Sequence, residues 1–256
     1  SVQKSISEKI KYEIIIINNQ INEKISFSKN INTTLIKIYN QEHNLGYSKA
    51  VNIGVEKTSG DIILLLNPDI EVLDDSIIKL YQFIKNNNNI DVVGAKIVDK
   101  NGKYKEYSRR RFPYAIQSIS YFLKLHNFGL VNYYNYEDIN RNVTQRVDSI
   151  SGCCMTIRKN TFIENKGFNE NYFLYFEDTH FCWTVNKSNK SVYYFPEAEI
   201  VHYGGLSTET LPYLLKHYYF YKSLFIFVIF NIYEYKNFLI NCILLIIIYL
   251  IFISNI

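Results

Sequence analysis

Cysteine is scarce in this 256-residue chain. Its four cysteines, Cys153, Cys154, Cys182 and Cys242, form no zinc-like double pair and fall short of the density of a secreted disulfide scaffold. A reduced, cytosol-facing protein is the expectation. Charge is scarce too: 20% of residues are charged, and the formal net charge of +4 is small and dispersed, which argues against nucleic acid as a partner. No signal peptide, internal repeat or Gly/Ser linker is visible. What the chain does have is 48% hydrophobic residues and 23 tyrosines, a composition that excludes a disordered chain.

Apolar periodicity predicts a helix in residues 1–11, a buried strand at 12–17, a strand at 34–39, a helix at 48–57 closed by Ser59 and Gly60, and a strand at 61–66. A helix at 76–85, a strand at 92–98, a strand at 147–158, a helix at 178–187 and a strand at 192–195 follow, while 101–146 shows no clean period. Such alternation argues for a parallel sheet covered by helices on both faces, with ligands outside the carboxyl ends of the strands. Asn67, Pro68 and Asp69 stand at such an end.

Three constellations bear chemistry. In the first, Asn44, Leu45, Gly46, Asn52 and Gly54 lead to a buried strand that ends in Asn67-Pro68-Asp69. A carboxylate there suits a metal that grips phosphates, although Pro-Asp also simply ends a strand in a turn. In the second, aromatics surround Glu177 and Asp178; low local polarity would raise one carboxyl pKa as a general base requires, and the same residues also stabilise a helix start. In the third, His202 precedes Gly204 and Gly205 and suits a metal or phosphate, or else packs as an ordinary histidine.

Together, in this order and spacing, residues 44–72, residues 147–207 and the Glu177-Asp178 pair resemble the inverting family 2 glycosyltransferases, particularly those described as rhamnosyltransferases and galactofuranosyltransferases. The resemblance implies a GT-A type, Rossmann-like α/β fold with a mixed sheet flanked by helices. It implies Asp69 and His202 as ligands of Mn2+ or Mg2+, Asp178 as catalytic base and Glu177 as its supporting neighbour. Asn18, Asn44, Gly46, Asn52, Asn67 and Gly152 would lie around the donor site. The implied partners are a nucleotide diphosphate sugar as donor and a glycan or lipid-linked glycan as acceptor.

Against the family pattern the chain begins after the usual first strand, carries Asn18 where a carboxylate is common, and continues past Asp178 with His180 and Thr184. A degenerate relative that binds glycan or partner proteins is therefore the alternative. A nucleotide-sugar pyrophosphorylase would need a glycine-rich phosphate loop, and none is visible. Arg109, Arg110 and Arg111 form either a phosphate-binding row or a solvated loop. The division expected is a transferase domain over 1–210 lacking its first strand, and an apolar helical tail over 211–256. The apolar run 238–253 with Lys216, Lys222 and Lys236 places that tail at the membrane surface, on the cytoplasmic face.

Overall fold

Four consecutive isoleucines open the first strand of the computed structural model, which describes residues 1–6, 10–20, 24–27, 31–113, 134–204 and 211–231. β-Branched side chains are stiff at χ1 and suit a pleated ribbon. Accordingly, Ile14–Asn18 forms β1, paired in parallel with β2, Ile36–Asn40. Helix α1 follows over Tyr47–Glu56, then β3 over Ile62–Leu66, β4 over Ile70–Val72 and helix α2 over Ser76–Asn86. Strand β5 spans Val92–Val98, β6 Arg109–Arg110, β7 Gln145–Arg146, β8 Ser149–Ile150 and β9 Cys154–Arg158. Helices α3, Lys159–Glu164, and α4, Glu177–Lys187, precede the long β10, Val192–His202, and helix α5, Tyr213–Asn231.

The main sheet has the order β3-β9-β5-β10-β4, with β7 also paired to β10. Strand β9 runs antiparallel to both β3 and β5, whereas β5 and β10 are parallel. The sheet is thus mixed rather than all parallel, because β9 returns between two strands that helices had already connected. Both faces are buried. Val92 packs in one cluster with Met155, Ile157, Phe181 and Phe227, and its neighbour Val93 packs in another with Leu80, Ile84 and Cys154, as side chains alternating across a sheet must. Leu80 and Ile84, four residues apart on α2, cover the second face.

Strands β1 and β2 stand as their own pair, and among the described residues no ladder joins β1 to β3. Helix α1 bridges the two sheets: Ile17 lies 3.3 Å from where a Cβ on Gly54 would sit, and Val55 shares the core with Ile63 and Leu65. Glu13 ties the start of β1 to the turn before β3, accepting from Ser59 N at 2.5 Å and from Lys37 Nζ at 2.9 Å. The Ser59 backbone N–H and then Lys37 hold its carboxyl down at about 2. The isoleucines of β1 are nonetheless only half-buried.

Several expectations change. Within 1–11 the described helix is a 3-10 turn, Val2–Ser5, and residues 7–9 lie outside the described ones. The strand expected over 147–158 breaks at Ser151, Gly152 and Cys153, where the chain turns around Asp178. The strand expected at 192–195 continues to His202: its register slips between Phe195 and Glu199, a bulge that accommodates Pro196, which has no N–H for the ladder. Helix α5, which falls beyond the expected boundary at 210, supplies Leu224, Phe227 and Val228 to the core. The apolar run 238–253 lies outside the described residues.

Candidate active site

Asp69 and His202 meet because of strand register. Asn67 N donates to Cys153 O at 3.0 Å and carries the β3 ladder one residue further, Pro68 ends it, and β4 then pairs antiparallel with β10 so that Ile70 faces His202. Tyr203 N donates to Asp69 O at 3.1 Å, closing this end. The result is a contact of 3.2 Å between His202 Nε2 and Asp69 Oδ2, with Asp69 only 5% exposed. On the other side of the imidazole, Tyr107 Oη lies 2.8 Å from Nδ1.

Asp69 Oδ1 and Asn67 Oδ1 are both buried without a hydrogen-bond partner. An unsatisfied buried polar atom costs about 1–3 kcal/mol, more for a charged group, so a fold that keeps one beside a histidine fits a cation. Among the described residues no three His, Cys, Asp or Glu side chains converge. A cation here would therefore have Asp69 and His202 as protein ligands and draw the rest from other oxygens, as Mg2+ does when it sits between one or two carboxylates and substrate phosphates.

The second carboxylate pair starts α4. Tyr175 and Phe176 both take left-handed backbone conformations, φ 67° and 66°, just before Glu177. Such residues cost of order 1–3 kcal/mol each and persist where the surroundings over-determine them. Here the turn is pinned by Phe176 and Phe227 rings and by Ser223 Oγ donating to Leu174 O. Asp178 Oδ1 accepts from Thr179 N at 2.6 Å and Thr179 Oγ1 at 3.1 Å; Oδ2 accepts from Arg110 Nη2 at 2.6 Å and Gly152 N at 2.9 Å. A Cβ at residue 152 would lie 3.1 Å from Asp178 Cβ, so glycine permits this approach. Burial works against the charge on Arg110, yet neighbouring Asp178 lifts the guanidinium pKa still higher.

Glu177 differs from its neighbour. It is buried, its Oε2 has no partner, and burial followed by the negative charge of Asp178 pushes its pKa up to about 8 from the usual 4.5. The folded state therefore holds a proton at Glu177 that the unfolded chain has lost, and stability falls as pH rises from 4.5 to about 8. Glu177→Gln removes this loss. Denaturant midpoints at pH 5 and pH 8 should show the variant gaining on the parent at the higher pH; an equal difference at both would contradict a raised Glu177.

The turn Ser151-Gly152-Cys153 joins the two clusters, since Gly152 holds Asp178 and Cys153 O holds Asn67. The Cys153 thiol is pushed up to about 12, chiefly by burial, and both Asp178 and Asp69 add to the shift. Tyr47 Oη donates to Gly152 O at 2.9 Å and brings α1 to the same place. Gly46, at φ 79°, precedes that helix where a Cβ would come within 2.7 Å of Phe173. Asn44 Oδ1 accepts from Gly46 N and Asn19 Nδ2, each at 2.9 Å. Asn18 Nδ2 donates to Asn40 Oδ1 at the ends of β1 and β2. Asn52 has a scaffold contact instead: it donates to Phe168 O and accepts from Phe168 N.

The arginine triplet is neither a solvated loop nor a phosphate-facing row. Arg109 is 1% exposed and donates to Ile139 O and Tyr136 O, Arg111 pairs with Asp138 through two hydrogen bonds, and Arg110 holds Asp178. Sequence reasoning singled out the triplet without assigning Arg110 to Asp178, 68 residues away. Tyr107 carried no signal at all.

The mixed sheet between two helical layers, with a buried carboxylate at a strand end, is an α/β fold of the GT-A class. The chain belongs to glycosyl transferase family 2, whose profile matches residues 1–166. It is 26% identical over 145 residues to the rhamnosyltransferase WbbL of Escherichia coli strain K12, covering 56% of this chain and 53% of that protein. To the N-acetylglucosaminyl-diphospho-decaprenol L-rhamnosyltransferase of Mycobacterium tuberculosis it is 28% identical over 200 residues, 72% of this chain and 64% of that one. Each match leaves more than a third of the relative unspanned. In fold, it resembles GalNAc-T7 solved with UDP, GalNAc and Mn2+, at a TM-score of 0.55 and 16% identity, over 79% of this chain and 39% of that chain.

Proposed function

We propose that the chain is an inverting glycosyltransferase that moves a hexosyl or deoxyhexosyl residue from a nucleotide diphosphate sugar to a glycan or lipid-linked glycan acceptor. One observation carries the reading: a buried carboxylate with an orphaned oxygen beside His202, and a second carboxylate held by Arg110, stand on either side of one three-residue turn. The first suits a diphosphate and its cation, the second an acceptor hydroxyl.

Asp178 takes the hydroxyl proton. The freed oxygen bonds to the anomeric carbon from the face opposite the diphosphate, while the bond from that carbon to the diphosphate oxygen breaks and its electron pair leaves with the nucleotide. No covalent sugar-enzyme intermediate forms. A carboxylate has about four lone-pair sites, and four donors already fill them at Asp178. The acceptor hydroxyl therefore replaces one; Thr179 Oγ1, at 3.1 Å, is the most weakly held. A bound Mn2+ or Mg2+ would supply positive charge to the departing diphosphate. Asn18, Asn44, Gly46, Asn67 and Gly152 surround the donor in this reading, with Asn52 bracing the loop behind it.

Titrating UDP and dTDP into the protein, with and without manganese, tests the reading. Metal-enhanced binding of either supports a donor site; no binding of either sinks it and favours a non-catalytic glycan- or partner-binding relative.

The transferase domain also covers more than 1–210 in this reading, since α5 completes its core. Among the described residues β1 pairs only with β2 and β3 only with β9, and the isoleucines of β1 are half-buried. No helix among the described residues is long and apolar enough to cross a membrane. Helix α5 does expose Leu214, Tyr218 and Phe225 along with Tyr213. With Lys216 and Lys222 on the same helix, these residues support contact with anionic headgroups at the cytoplasmic face. Co-sedimentation with phosphatidylserine vesicles is expected to exceed that with phosphatidylcholine and to weaken in Phe225→Glu; indifference to both changes would refute the contact.

A further inference from the structure

His202 has two ring nitrogens and two different neighbours. Nε2 faces Asp69 Oδ2 at 3.2 Å and Nδ1 faces Tyr107 Oη at 2.8 Å. Tyr107 is rigidly placed: it sits in the 3-10 turn Glu106–Ser108, which Ser108 pins to β5 by accepting from Ile97 N at 3.1 Å, and its ring packs against the cluster of Leu80 and Ile97. It meets the imidazole edge-on, with an interplanar angle of 83°.

These neighbours impose different tautomers in two states. With no cation, a neutral His202 must carry its proton on Nε2 to meet the Asp69 carboxylate, so Nδ1 offers a lone pair and Tyr107 donates its O–H. A cation shared with Asp69 needs the Nε2 lone pair, so the proton resides on Nδ1 and donates to the Tyr107 oxygen. Nε2 loses one proton to solvent and Nδ1 gains one, leaving the sum unchanged. A carbonyl or carboxylate at the position of Tyr107 would only accept and would favour one state; a hydroxyl donates or accepts after rotation about its C–O bond. The tautomer of a ligating histidine is set by the partner of its other nitrogen.

We propose that Tyr107 is the positioning residue of the cation site, holding the His202 ring with Nε2 toward Asp69 and accepting a hydrogen bond from Nδ1–H when a divalent cation binds. The inference rests on the proposed donor site.

Electron paramagnetic resonance titration of Mn2+ in the presence of UDP tests it on the full chain, comparing the parent with Tyr107→Phe, His202→Ala and Asp69→Ala. Tyr107→Phe is expected to weaken Mn2+ by about 10–100-fold, the usual effect of losing an outer partner, while keeping the ring and the parent thermal midpoint. Nitrogen-15 spectra should show His202 protonated at Nε2 in the metal-free parent, as Asp69 requires, and at Nδ1 in the parent loaded with Mg2+ and UDP. If Tyr107→Phe binds Mn2+ as tightly as the parent while His202→Ala and Asp69→Ala do not, the role of Tyr107 is overturned and the cation site stands. If the parent itself binds no Mn2+, both fall together.

Discussion

Asp178→Asn is expected to lower kcat by about 10²–10⁴, the range attributable to a general base, with little change in the affinity for nucleotide. The amide keeps the size of the carboxylate and can still accept from Thr179 N, but it cannot take a proton. It also turns an N–H2 group toward both Gly152 N and Arg110, which donate to the same oxygen of Asp178 in the parent. That clash should cost stability as well, because Arg110 would keep a buried charge with no counter-ion. Measuring kcat and the denaturant midpoint together separates the two effects. Glu177→Gln serves as the control: Glu177 already holds its proton at neutral pH, burial having pushed it to about 8, so the amide should retain far more activity than Asp178→Asn. If Glu177→Gln were the more damaging of the two, Glu177 would be the base and the assignment would be reversed.

Asp69→Ala is expected to abolish the manganese dependence of nucleotide binding. In the proposed cation site it removes one of two protein ligands, so the loss should exceed the ~10–100-fold typical of an outer partner. Fold should survive, since the variant also removes an orphaned buried oxygen, which offsets the lost contact to His202. The informative outcome is therefore a thermal midpoint near that of the parent with manganese-dependent binding gone. Binding that remained equally responsive to manganese would place the cation elsewhere.

The longer elements were legible because each rests on local pattern. The isoleucines of β1, the aliphatic run of β3 and the apolar faces of α1, α2 and α4 appear within a residue or two of where they were expected. Strands β4, β6, β7 and β8, of two or three residues, carry no periodicity; they exist because a partner strand distant in sequence holds them. The break at Gly152 was hidden for a related reason, since residues 147–158 read locally as one strand, and only the approach of Asp178 requires a turn.

The site divides in the same way. Asp69, Glu177, Asp178 and His202 were visible because carboxylates and a histidine at element ends are chemically conspicuous, and β4–β10 register brings Asp69 and His202 within 3.2 Å of each other. Asn52 was conspicuous too, yet its amide spans the Phe168 peptide. Arg110 was noticed for its charge and given a different partner, because a pairing across 68 residues leaves no local trace. Tyr107, one of 23 tyrosines, could not have been chosen without the distance to His202.

Glycosyl transfer itself is tested most directly by incubating the protein with manganese, a panel of UDP- and dTDP-sugars and lipid-linked glycan acceptors, and following nucleoside diphosphate release and the anomeric configuration of the product. The account predicts release from at least one donor that requires both manganese and an acceptor, a product of inverted configuration, and loss of that release in Asp178→Asn. Retained configuration, or release unchanged by Asp178→Asn, would contradict it.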